Sequence, residues 1–303
     1  MRPRIKNWIN PIWFVLVAGC VGFEKQTMVY RHYPKADTLV IWQQYEGIYG
    51  DDGFEGLSPK EIDQLHSVLE GQRTFFFSNW ITDYNAQQLA DEVAKMRDKL
   101  RADDWTEEEK AFKRQLIALY KLIGENVRIE NGPFYLNGEG KLSATQEVTV
   151  TKVSFIIAAA NQAILSGLQL EIDSNSLDQS DPEYLPLVEK VLKTKLELFQ
   201  LQGQRLQAHW PLTAGMFLDK DIQEAINQFR QQGGRAMIKE GLVTVELGKL
   251  KGKEAKLEVV LPGTNFQSNA LAHVRKRYEV MDQYDPAAAR TDFFRAMDGL
   301  YKK

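Results

Sequence analysis

The chain has 303 residues, 44% apolar and 26% charged, with a formal net charge of −3. A mildly acidic chain is repelled by nucleic-acid phosphate and by anionic headgroups, so neither nucleic-acid binding nor electrostatic membrane attachment is expected. Length and apolar content suffice for one large core or two smaller ones, and stability has to come from packing.

The N-terminus falls into three consecutive regions. Arg2, Arg4 and Lys6 are positive, Ile12 to Ala18 is apolar, and the small residues Ala18 and Gly19 precede Cys20, the one cysteine of the chain. The apolar run is well short of the ~20 residues needed to cross a bilayer. Val17-Ala18-Gly19-Cys20 resembles the lipobox of bacterial lipoproteins. The resemblance implies that residues 1–19 are a signal peptide removed on export, and that the Cys20 sulfur carries lipid, with palmitate-type acyl chains, as the new first residue. With each buried CH₂ contributing ~0.8 kcal/mol, two or three chains hold a domain stably on a membrane. Val21 follows, where an aspartate retains some lipoproteins at the inner membrane, so the outer membrane is favoured. Removal of 1–19 lowers the net charge from −3 to −6. An acylated Cys20 also leaves no thiol for a disulfide, a metal or nucleophilic catalysis.

From there the elements run in order. Gln26–His32 and Thr38–Ile48 read as strands around a turn at 33–37. Ser58-Pro59-Lys60-Glu61 is a capping box that opens a helix, with Leu57 able to staple onto Ile62 and Gly71 as the stop. Arg73–Ile81 reads as a buried aromatic strand. Helices follow over 85–101 and 106–126, the second opened by Thr106-Glu107-Glu108-Glu109, and both are expected to cover a sheet. Phe134–Leu136 and Leu142–Val150 flank the turn Asn137-Gly138-Glu139-Gly140, and their alternation predicts one wet face. Val153–Leu165 reads as the most buried helix.

After a polar loop at Asp173–Asp181, a long helix starts at Asp181-Pro182 with an apolar stripe reaching Phe199. Asp219–Gln232 is a further helix, stopped by Gly233-Gly234. Leu242–Leu247 and Ala255–Leu261 read as a hairpin around a lysine-bearing turn. Helices at 266–283 and 286–301 complete the chain. No fixed-period repeat occurs. The expected class is α+β, with antiparallel sheets built from hairpins and packed against several helices. The reading is one globular domain over 20–303, or two halves, 20–172 and 173–303.

Sequence signatures of catalysis are missing, including nucleophile elbows, Walker and Rossmann loops, zincin helices and paired cysteines. His32, His66, His209 and His273 are far apart and read as surface or satisfied structural residues. No cofactor and no metal ligand set is assigned. Asp173–Asp181 begins like a calcium loop, but the pattern fails at Leu177, Asp178 and Tyr184, which favours a linker with a helix cap. Asp51, Asp52 and Glu55 form an acidic glycine-rich turn, the best local cluster for acid–base work, although a polar turn before a capped helix accounts for it as well. Phe75–Trp80 reads as core. Lys249, Lys251, Lys253 and Lys256 make a basic tip suited to acidic polymer or headgroups, or simply to keeping a hairpin soluble.

Tyr30-Arg31-His32, Ala36-Asp37-Thr38-Leu39-Val40 and Tyr45-Glu46-Gly47-Ile48-Tyr49 are similar to uncharacterised bacterial lipoproteins, a resemblance that implies no activity. The leading expectation is a lipid-anchored cell-envelope protein, facing the periplasm or exterior, that binds or organises an envelope protein or polymer. The alternative is a membrane-tethered periplasmic enzyme, a carboxylate-dependent hydrolase.

Overall fold

The structure is a computed structural model, and it describes residues 21–50, 58–70, 73–74, 84–101, 105–173, 184–211, 218–231, 234–239, 242–260 and 270–301. The fold is α+β, as composition and pattern predict. The chain divides into two compact units. One holds Leu89–Glu125 and Lys152–Ala255; the other holds the described residues up to Gln88, Asn126–Thr151 and the chain from Lys256 onward.

The larger of the two sheets formed by the described residues has seven strands. Its strands are β1 (Lys25–Tyr33), β2 (Thr38–Glu46), β3 (Val127–Leu136), β4 (Leu142–Thr151), β9 (Lys249–Lys251), β10 (Glu254–Val260) and β11 (Val280–Met281), in the order β11-β3-β4-β2-β1-β10-β9. The β1–β2 hairpin is the predicted one, closed by a 3₁₀ turn at Pro34–Ala36 and by Asp37 at φ 48°. β3 is longer than the sequence suggests. Glu130-Asn131-Gly132-Pro133 looks like a turn, but it is a bulge inside the strand, where the register shifts between Asn131 and Phe134. Glycine is required there, because a Cβ on Gly132 would lie 2.1 Å from Thr145 Oγ1.

Helices cover both faces. α1 (Pro59–Glu70) is capped reciprocally as expected: the Ser58 N–H donates to Glu61 Oε2 at 2.7 Å and the Glu61 N–H to Ser58 Oγ at 3.3 Å. With α7 (Ala270–Arg275) it closes a core of Val21, Phe23, Tyr45, Ile48, Leu65 and Phe134. α8 (Pro286–Tyr301), capped by Asp285, lies on the other face against Val29, Val40, Trp42 and Tyr33. Arg31 and Tyr33 both reach Asp298 of α8, at 3.2 and 3.0 Å, and the Arg31 guanidinium sits 4.3 Å from the Phe294 ring centre. The expected wet face is wet only in part: Ser143 and Thr145, polar neighbours in the β4 alternation, are buried, with the Tyr284 hydroxyl against Thr145.

The first unit contains α2 (Ala86–Leu100), α3 (Glu107–Asn126), α4 (Val153–Asp173), α5 (Tyr184–Thr194), α6 (Lys220–Gln231) and a sheet of β5 (Phe199–Gln202), β6 (Arg205–Pro211), β8 (Leu242–Glu246) and β7 (Arg235–Lys239), in that order. The capping box at Thr106–Glu109 forms. The α3 stripe does not join a sheet: Phe112, Leu116 and Leu119 pack with Met96 of α2 and with Ile156, Ala159, Ala160 and Ala163 of α4. Small residues on α4 allow that close helix–helix approach.

α4 is less buried than its apolar sequence leads one to expect. Val153 to Leu170 carries no charge, yet only 22% of its apolar window is buried and Phe155 is 65% exposed. By length and composition it could cross a membrane. Its Asn161 side chain is tied to β5, donating to Phe199 O and accepting from Phe199 N, both at 2.8 Å.

Three further expectations are corrected. α5 stops at Thr194 and does not reach Phe199, because Lys195 turns left-handed (φ 49°) in a Schellman closure: Leu196 N–H donates to Val191 O and Lys195 N–H to Leu192 O, both at 3.2 Å. Leu242–Leu247 does not pair with Ala255–Leu261. β8 pairs with β6 and β7, while β10 belongs to the seven-stranded sheet, and Gly248 at φ 74° breaks the chain between them. The expected helix over 266–283 leaves its helical path after Arg275 and forms β11, parallel to β3.

Candidate functional site

The uncovered part of the α8 face brings two carboxylates together. Strand register places Glu130 of β3 directly opposite Glu147 of β4, and Trp42 of β2 opposite Glu147 on its other side. Facing residues on neighbouring strands have Cβ atoms ~5 Å apart, so the two carboxyl groups share one small space. Glu147 is half-buried, Glu130 exposed. Burial, and after it the Glu130 charge, push the Glu147 carboxyl up to about 7. Near neutral pH the pair therefore holds an acid able to donate a proton beside a second carboxyl group.

Aromatic rings flank this region. Tyr135 is buried and stacks with Tyr284 at 4.7 Å between centroids; its hydroxyl accepts from Gln44 Nε2 at 3.0 Å. Burial raises both phenols, so they act as neutral donors. Tyr284 lies 3.5 Å, hydroxyl to hydroxyl, from Thr145. It also lines an open depression of about 470 Å³ with Leu136, Asn137, Gly138, Asp282 and Asp285.

The opposite face buries amides instead. Gln26, Gln43 and Gln146 are each at most 1% exposed. Gln26 donates to Gln43 Oε1, which also accepts from the Tyr45 hydroxyl. Gln146 Nε2 donates to Asn131 Oδ1 at 2.6 Å and to Arg73 O at 3.0 Å, and Asn131 Nδ2 donates to Leu69 O at 3.0 Å. The Tyr45 hydroxyl also lies 3.5 Å from Gln146 Oε1, so the row links β1, β2, β3 and β4 with α1 and with the segment after it.

In the other unit, a groove of about 430 Å³ runs along α4 beside Gln162, Ser166, Gln169, Leu192 and Lys195. Neither cavity is lined by Glu130 or Glu147.

The residues singled out by sequence have varied fates. Cys20, the acidic turn of Asp51, Asp52 and Glu55, the aromatic run Phe75–Trp80 and the loop after Asp173 all lie outside the described residues. His66 is a structural residue, contacting the Tyr278 hydroxyl at 3.2 Å and Glu70 at 2.9 Å. His209 meets Thr244 Oγ1 at 3.0 Å, and burial pulls its imidazole below the ordinary range. Lys249, Lys251 and Lys253 are exposed around the β9–β10 turn, whereas Lys256 pairs with Glu258 at 2.8 Å. Among the described residues no group of three His, Cys, Asp or Glu could hold a metal ion.

Glu130 and Glu147 were not singled out from sequence. Each is an ordinary polar residue of an alternating strand, and their pairing depends on counting the register back through the Gly132 bulge from the Asn137 turn. Comparison of the chain with protein-family models, with curated proteins and with solved structures finds no match in any of the three.

Proposed function

We propose that this chain is a lipid-anchored protein of the bacterial cell envelope, attached through Cys20 after removal of residues 1–19, with outer-membrane placement favoured. Its α+β body serves as a binding or organising component for an envelope protein or polymer. The carrying observation is the order of basic, apolar, small and cysteine residues at positions 2–20. Val21 lends support: it is 3% exposed, and its N–H donates to Gln64 Oε1 at 3.2 Å, so the fold takes up the chain one residue after the cysteine. The polar and aromatic groups beside Glu147 line a sheet face and an open depression, which suits contact with a large partner. The test is the mass of the native N-terminus from envelope fractions. An acylated Cys20 as first residue is expected, with Cys20→Ala moving the protein to the soluble fraction; a native chain starting at Met1 in the soluble fraction sinks the reading.

The raised Glu147 carboxyl opposite Glu130 favours one second reading, a tethered hydrolase with Glu147 as general acid. Release of sugars or peptides from envelope polymer by the wild type, abolished in Glu147→Gln, would establish it.

A further inference from the structure

The chain has no slack between its anchor and its fold. Consecutive Cα atoms are ~3.8 Å apart, so Cys20 is fixed to within one residue of Val21, which is already buried. Gly22 is then clamped to Tyr49 by two backbone hydrogen bonds of 2.8 and 3.0 Å, and β1 begins at Lys25. A flexible linker of n residues would add reach of ~5–6 Å × √n, but here n is zero. Whatever part of the folded unit surrounds Val21 must meet the surface that receives the lipid.

Strand register identifies that part. Lys25 pairs with Glu46, Glu46 with Ser143 and Leu136 with Leu142, while Met281 lies beside Tyr135. One end of the sheet therefore gathers the start of β1, the Gly47–Gly50 exit of β2, the Asn137–Lys141 turn and the Asp282–Asp285 segment. We infer that this end of the seven-stranded sheet is the membrane-facing surface, resting on lipid headgroups around the acylated Cys20; the inference rests on the lipoprotein reading above.

Its charges fit zwitterionic headgroups. Lys141 is held by Glu24 at 2.7 Å and Glu139 at 2.9 Å, and Lys25 by Glu46 at 3.4 Å and Glu258 at 3.5 Å. Arg275 is paired with Asp282. These three cations are already held by carboxylates, and the nearby carboxylates repel an anionic lipid. The β1–β2 turn at Pro34–Ala36 sits at the far end, nine β1 residues away, a rise of ~30 Å.

The experiment uses the full lipidated protein in phosphatidylcholine vesicles. Acylation consumes the one native thiol, so Glu139→Cys, Gly138→Cys and Lys35→Cys each carry a single label; all three positions are exposed, and a Cβ at Gly138 meets nothing within 4 Å. Nitroxide on the lipid headgroup is expected to quench a fluorophore at 138 or 139 several-fold more than one at 35, and added anionic lipid should not strengthen the difference. Equal quenching, or stronger quenching at 35, with an acylated mass confirmed in the same sample, overturns the orientation alone. An unacylated mass overturns the anchor and this surface with it.

Discussion

Both faces of the seven-stranded sheet carry polar side chains, and they treat them differently. On the α1 face, Gln26, Gln43, Gln146 and Asn131 are linked to one another or to backbone carbonyls, so the polar row works as internal cross-linking. On the α8 face, aromatic packing around Trp42 and Phe293 stops short of β3, and Glu147 and Glu130 are left facing each other with solvent on one side. Burial alone does not mark a site. What separates the faces is charge and solvent: buried amides joined across strands on one, though Gln26 Oε1 and Gln43 Nε2 stay unpartnered among the described residues, and two carboxyl groups facing each other on the other.

The sharpest test of that contrast is at its apolar limit. Trp42→Ala removes a 2% exposed indole from the α8 core and should cost ~4 kcal/mol, read as a lower urea midpoint. Gln146→Ala should cost ~2 kcal/mol on the opposite face, because it strands the Asn131 carbonyl and the Arg73 carbonyl without their donor. A loss no larger than that of an exposed glutamine would break the distinction between the faces.

Glu147→Gln should act in the other direction and depend on pH. The native carboxyl titrates at about 7 against an ordinary 4.5, so the folded state binds its proton more tightly than the unfolded chain does. That contribution favours folding fully below about pH 4.5 and is lost as pH rises through about 7. The variant should therefore gain ~1 kcal/mol at pH 8, the linkage value being discounted for solvent on its open side, and nothing at pH 4. Urea unfolding at the two pH values checks this, and an equal gain at both would contradict it. The smallest effect expected is for Asp298→Asn, ~0.5 kcal/mol, from weakening the contacts to Arg31 and Tyr33. Tyr33, held up to about 12 by burial and by Asp298, should then ionise at lower pH in an ultraviolet titration.

Local signals in the sequence translated well. Ser58–Glu61, Thr106–Glu109 and Asp285 cap the helices they announce, since capping depends on residues within one turn. The Asn137 turn closes as read, its side chain accepting from the Glu139 and Lys141 N–H groups. What failed was non-local or conformational. A bulge disguised the first half of β3 as a loop, a left-handed lysine ended α5 without a glycine, and the partners of β8 and β10 lie far along the chain. The β5–β6 hairpin escapes notice although Phe199, Leu201, Leu206, Ala208 and Trp210 alternate with polar residues, because Phe199 reads equally well as the last position of the α5 stripe. The Glu130–Glu147 pair shares this origin: two residues seventeen positions apart become neighbours through a register that composition does not encode.

The borders of the large sheet have a consequence for solution behaviour. At one border is β11, of two residues; at the other is β9, whose three residues include Lys249 and Lys251, both exposed. Neither offers a long apolar ledge of free amides on which another molecule could continue the ladder. Among the described residues, these borders give crowded copies no ledge on which to build a ribbon by backbone pairing.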